Sequence, residues 1–72
     1  MLTRYVINAV KMELYATTFD YECSEGFYTL RFQAGLYTVK IPAMQIDTMS
    51  TDAEVINLIV DVFRQQYNRL GV

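Results

Sequence analysis

The chain contains no histidine, no tryptophan, one cysteine and one proline. The shortages of His and Cys each remove a class of function. Without His, acid–base catalysis near neutral pH loses its commonest agent, and a nucleophile at Cys23 lacks its usual activating partner. Zero His with one Cys argues against a structural zinc site. A single Cys closes no internal disulfide, so the core must hold the fold unaided. The glycines Gly26, Gly35 and Gly71 are isolated, and no Gly-rich phosphate cradle is present. No apolar window of about 18 residues exists, so no transmembrane helix is expected. The apolar stretch after Met1-Leu2-Thr3-Arg4 is broken by Asn8 and Lys11, unlike a secretory signal. With one free thiol, these features lead to the expectation of a cytoplasmic chain.

Charge is also sparse. Six cations face eight carboxylates, for a net charge of −2. Arg4, Lys11, Arg31, Lys40, Arg64 and Arg69 are scattered along the chain, whereas a nucleic-acid footprint is a basic stripe on a basic domain. The carboxylates do not cluster as in a DNA mimic. What the chain has in abundance is apolar surface: 53% of its 72 residues are hydrophobic and 14% aromatic. That excludes intrinsic disorder and predicts one domain, residues 1–72.

The first segment, residues 1 to about 13, places Leu2, Tyr5, Val6, Ala9, Val10 and Met12 at helical spacing, with Arg4, Asn8 and Lys11 opposite. From Tyr15 to Ile41 the period changes to two. Phe19, Tyr21 and Cys23 alternate with Asp20 and Glu22; Tyr28, Leu30 and Phe32 with Thr29 and Arg31; Tyr37, Val39 and Ile41 with Thr38 and Lys40. Three strands are expected, turning at Glu25-Gly26 and Ala34-Gly35. With those tips, Cys23 faces Tyr28, Tyr21 faces Leu30 and Phe19 faces Phe32, and then Phe32 faces Tyr37, Leu30 faces Val39 and Tyr28 faces Ile41. A one-residue slip would pair apolar with polar throughout. Neither tip is the preferred Asn-Gly, so a four-residue loop with the same register is the alternative at either tip.

Pro42 ends the third strand, and residues 42–50 read as a connection. Thr51-Asp52-Ala53-Glu54 reads as a capping box that opens a helix to about Leu70, with Arg64 and Arg69 late in it and Gly71 as its stop. The predicted class is α+β: helix, three-stranded antiparallel meander, helix (αβββα), with both helices on one sheet face.

Candidate chemistry is thin. Asp20 and Glu22 lie on the outward face beside Arg31 and Lys40. Cross-strand charge pairing on a wet sheet face explains them more simply than a carboxylate pair for acid–base work or a divalent cation. Cys23, on the inward face, reads as a small buried residue. Ser24, Ser50 and Thr51 have turn and cap roles. No catalytic residue, metal site or cofactor is expected. Most aromatics alternate inward, which suits core packing better than base stacking.

The surplus lies in the helices. Val55, Ile56, Leu58, Ile59, Val60, Val62, Phe63, Tyr67 and Leu70 span roughly 200° of the last helix, against the approximately 100° that one packing surface needs. The first helix is similarly wide. Ile7, Leu58 and Val62 are therefore candidate partner-binding residues, joined by Met44 and Met49 of the connection as adaptable side chains, and Asp20, Glu22, Arg31 and Lys40 mark the exposed sheet face. The element order is similar to that of double-stranded RNA-binding domains, but Asp52 and Glu54 open the last helix where those domains carry basic residues. It is also similar in topology and size to small phage inhibitors of a CRISPR nuclease, with no residue motif in common. The expected function is a small non-enzymatic protein-interaction module, a phage-type accessory or inhibitor protein acting as a homodimer or through another protein. The alternative is a nucleic-acid-binding domain that uses the exposed sheet face.

Overall fold

The computed structural model describes residues 2–67. Along the chain run α1 (Arg4–Glu13), β1 (Phe19–Ser24), β2 (Phe27–Phe32), β3 (Tyr37–Pro42), α2 (Ala43–Asp47) and α3 (Asp52–Gln66). The strands form one antiparallel sheet in the order β1-β2-β3, and the helices pack on it, making an α+β fold. No helix of the described residues is long and apolar enough to cross a membrane.

The register follows the alternation. Phe19 pairs with Phe32, Tyr21 with Leu30 and Cys23 with Tyr28. Phe32 pairs with Tyr37, Leu30 with Val39 and Tyr28 with Ile41. At the first tip Glu25 and Gly26 both have positive φ, 55° and 81°, as a type I′ turn demands. At the second tip Ala34 and Gly35 have φ of 55° and 89°, and the Leu36 N–H donates to the Gln33 carbonyl at 3.1 Å. Gln33 is left-handed as well, so β2 stops at Phe32 and the connection widens to residues 33–36 without changing the register.

The helices start where side-chain caps permit. The Thr3 hydroxyl accepts the Val6 N–H at 3.2 Å, so α1 opens at Arg4 rather than at the chain start. Thr51 accepts the Glu54 N–H at 3.2 Å. The Glu54 carboxylate accepts a hydrogen bond from the Thr51 hydroxyl at 3.1 Å, where a full capping box would engage the Thr51 backbone N–H. The expected connection 42–50 contains a helical turn, α2. Pro42 has no N–H to lose and a φ of −54° suited to starting it, and the turn delivers Ile46 into the core with no exposure. Asn68, Arg69, Leu70 and Gly71, expected to finish the last helix, lie outside the described residues, as does Met1.

The core lies between the inward faces of β2 and β3 and the helices. Tyr28, Leu30, Phe32, Val39 and Ile41 meet Val6 and Val10 of α1, Ile46 of α2, and Val55, Ile59, Val60 and Phe63 of α3. Phe63 stands edge-on to Phe32 at 4.9 Å and to Phe19 at 6.1 Å. Part of the helices' surplus width is absorbed here: Ile7, Ile56, Leu58 and Val62 pack half-buried against this core. Tyr5 and Met12 do not, at 66% and 77% exposed. The buried line of α1 is the narrow ridge Val6–Val10, and both residues fall well to one side of it.

Candidate functional site

Each side of the sheet presents a distinct chemistry. On the outward face, Arg31 sits between two carboxylates of β1. Its Nε donates to Asp20 at 3.0 Å and its Nη1 to Glu22 at 3.1 Å. The register causes this: Arg31 lies opposite Asp20, with Glu22 diagonal to it on the same face. Hydrogen bonding to Glu22, then to Asp20, holds the guanidinium pKa above its ordinary value. Lys40 does not join them; its Nζ lies over the Phe27 ring, 5.3 Å from the centroid. The four residues of the expected sheet face thus divide into an Asp20–Arg31–Glu22 triplet and a separate Lys40–Phe27 pair. A partly open depression of about 330 Å³ at the start of β1 is lined by Thr18, Phe19, Asp20, Arg31, Ala34 and Gly35. Among the described residues no group of three or more His, Cys, Asp or Glu is placed to hold a metal ion.

The inward face is covered unevenly. Over β2 and β3 it is closed by the helices. Over β1 the cover is partial: α1 reaches the strand and Phe19 is half-buried, but every residue from Asp20 to Ser24 is exposed. Tyr21 is 42% exposed despite its edge-on contact with Tyr28 at 6.2 Å. Cys23, expected as a small buried residue, is exposed. Alternation assigns both to the correct face. It does not say how far a helix covers that face: α1 reaches β1, yet Tyr21 and Cys23 stay exposed.

The two edges of the sheet also differ. In an antiparallel ladder, alternate residues turn their backbone N–H and C=O toward the neighbour and the rest turn outward. The Gln33 N–H donates to the Thr18 carbonyl, which fixes the phase of β1 against β2. Asp20, Glu22 and Ser24 then bond to β2, and Phe19, Tyr21 and Cys23 turn their backbone groups away from it. On the other side, the Ala43 N–H donates to Gly26, which leaves Thr38, Lys40 and Pro42 facing outward from β3. That edge is blunted. The Thr38 N–H donates to the Tyr67 hydroxyl at 3.3 Å, the Tyr67 hydroxyl donates to the Thr38 carbonyl at 3.0 Å, and Gln66 adds a third bond. Pro42 has no N–H, and Lys40 carries a charge, both common protections of an edge. Among the described residues no comparable bond closes Phe19, Tyr21 or Cys23 on the β1 edge.

The remaining candidates are dispersed. Met44 is 77% exposed on α2, and Met49 is half-buried against the core after it. Ile7, Leu58 and Val62 pack half-buried on α1 and α3. The Tyr28 hydroxyl donates to the Asp47 carboxylate at 3.1 Å; burial first, and then that carboxylate, push the phenol above its ordinary pKa. The residues missed at the β1 edge left one signal: aromatic and thiol side chains alternating with acids on the first strand of a meander, which must be an edge unless another strand joins it. No protein-family model matches the chain, and no curated protein or solved structure is detectably similar to it.

Proposed function

We propose that the chain is a small non-enzymatic protein-interaction module of the accessory or inhibitory kind, acting in the cytoplasm. The observation that carries this reading is the incompletely covered β1, whose Tyr21 and Cys23 lie on the apolar face of the sheet yet remain exposed. Exposed apolar side chains adjoining one another on the continuation of a packed face suit a partner surface. The exposed free thiol of Cys23 suits a reducing compartment. Nucleic-acid binding on the outward face draws less support. Arg31 is committed to two carboxylates and Lys40 lies over Phe27, so neither cation is presented to a phosphate.

The test is site-specific photocrosslinking in cells. A benzophenone side chain at position 21 should give a discrete protein adduct, and the same group at the exposed Asn57 of α3 should not. Equal labelling at both positions, or none at either, removes the basis of the reading. Titration with single- and double-stranded oligonucleotides at low salt should be flat. Salt-dependent binding there would favour the nucleic-acid alternative.

A further inference from the structure

We propose that β1 accepts an added strand from a partner protein, an extended segment in which cationic and apolar residues alternate. This rests on the interaction reading above and specifies its mode. Three independent features of β1 converge on it. The backbone groups of Phe19, Tyr21 and Cys23 face outward from the sheet with no partner among the described residues, a ready template for β-augmentation. The inward side chains next to that edge, Tyr21 and Cys23, are apolar and exposed, and would receive alternate apolar residues of the incoming strand. On the outward face, Asp20 and Glu22 line the same edge. With Glu25 at the adjoining turn they set three carboxylates against the single guanidinium of Arg31. Side chains of an added strand that share this face would stand directly opposite Asp20 and Glu22, where cations are favoured.

The same carboxylates argue against a second copy as the occupant. An antiparallel β1–β1 pairing that sets apolar residues opposite apolar residues puts Asp20 or Glu22 across from Asp20 or Glu22 of the other copy. Directly opposed like charges destabilise a ladder. The contrast with β3 is consistent. That edge carries Lys40 and Pro42 and is closed at Thr38 by Tyr67, so among the described residues β1 is the edge left open to an incoming strand.

The probe is a capped seven-residue peptide of alternating Lys and Val, added to the isotope-labelled full chain and followed by amide hydrogen exchange. The peptide should slow exchange at Phe19, Tyr21 and Cys23 several-fold and leave the Lys40 amide on the other edge unchanged. It should also slow alkylation of Cys23. An alternating Glu–Val peptide should bind several-fold more weakly, and the D20N/E22Q double variant should lose most of that preference. N-methylation of every second peptide residue should abolish binding, because it removes the ladder donors. Absence of protection at the three amides, or equal protection by the two peptides, overturns the proposal. So does protection that grows with protein concentration alone, which would make a second copy the occupant. If the crosslink at position 21 succeeds while the peptide fails, the interaction reading stands and strand addition falls; if both fail, both fall.

Discussion

The Tyr67 hydroxyl both accepts the N–H of Thr38 and donates to its carbonyl, at 3.3 and 3.0 Å, across a separation of 29 residues. One side chain beyond the end of α3 thus occupies the position that a neighbouring strand would take. Its ring also stands edge-on to Tyr37 at 5.0 Å. Replacing Tyr67 with Phe keeps the ring and removes the two bonds. The expected cost is about 1–2 kcal/mol in urea unfolding. The Thr38 amide should exchange faster, while Lys40 and Pro42 still protect the rest of the β3 edge.

Phe63 is completely buried between Phe32 and Phe19. Truncation to Ala should destabilise by roughly 3–5 kcal/mol, enough to unfold a domain of this size. Phe63→Leu should cost less and keep a cooperative transition. A Phe63→Ala protein that melts like the parent would show that the core does not depend on this ring.

Tyr28 links pH to stability. Its pKa is raised in the folded state by burial and by Asp47. The folded chain therefore holds the phenolic proton more tightly than the unfolded chain. The resulting stabilisation is fully present below the unfolded value of about 10 and is lost as pH rises through the folded value. Tyr28→Phe should cost about 1–2 kcal/mol at pH 7, for the lost bond to Asp47. That difference should shrink as denaturation is repeated at increasing pH above about 10. A cost independent of pH would exclude the linkage.

The first hairpin tip carries Glu25 with φ of 55°, a conformation that Asn adopts more readily. Glu25→Asn creates the preferred Asn-Gly pair and should raise stability by about 0.5 kcal/mol. Gly26→Ala should lower it by about 1 kcal/mol. Nothing lies within 4 Å of the added methyl, so the loss would be backbone strain at φ of 81° rather than a clash. Thermal melts of the two variants should therefore move in opposite directions.

Much of the fold is legible in the residues because local chemistry dictates it. Side chains alternate with period two in a strand, so Phe19, Tyr21 and Cys23 share a face, and the two turn pairs leave one register that matches apolar with apolar. Thr51 and Glu54 mark the start of α3 by the hydrogen bonds available three residues apart. Arg31 meets Asp20 and Glu22 as a direct consequence of that register. The helical turn of α2 was not legible, because five residues carry too little periodicity to separate a short helix from a loop.

What only the tertiary structure decided is which apolar residues are covered. A pattern assigns a side chain to a face, but burial depends on whether another element lies above it. The helices close over β2 and β3, so Leu30 and Phe32 are buried while Tyr21 and Cys23, one strand away on the same face, are not. The apolar excess read from the helices is largely half-buried in α3, at Leu58 and Val62, and open instead at β1 and along one side of α1. Whether an edge is open or closed is equally beyond local reading. It depends on Tyr67 reaching Thr38, a contact that no spacing rule encodes and that exists only once α3 has docked against β3.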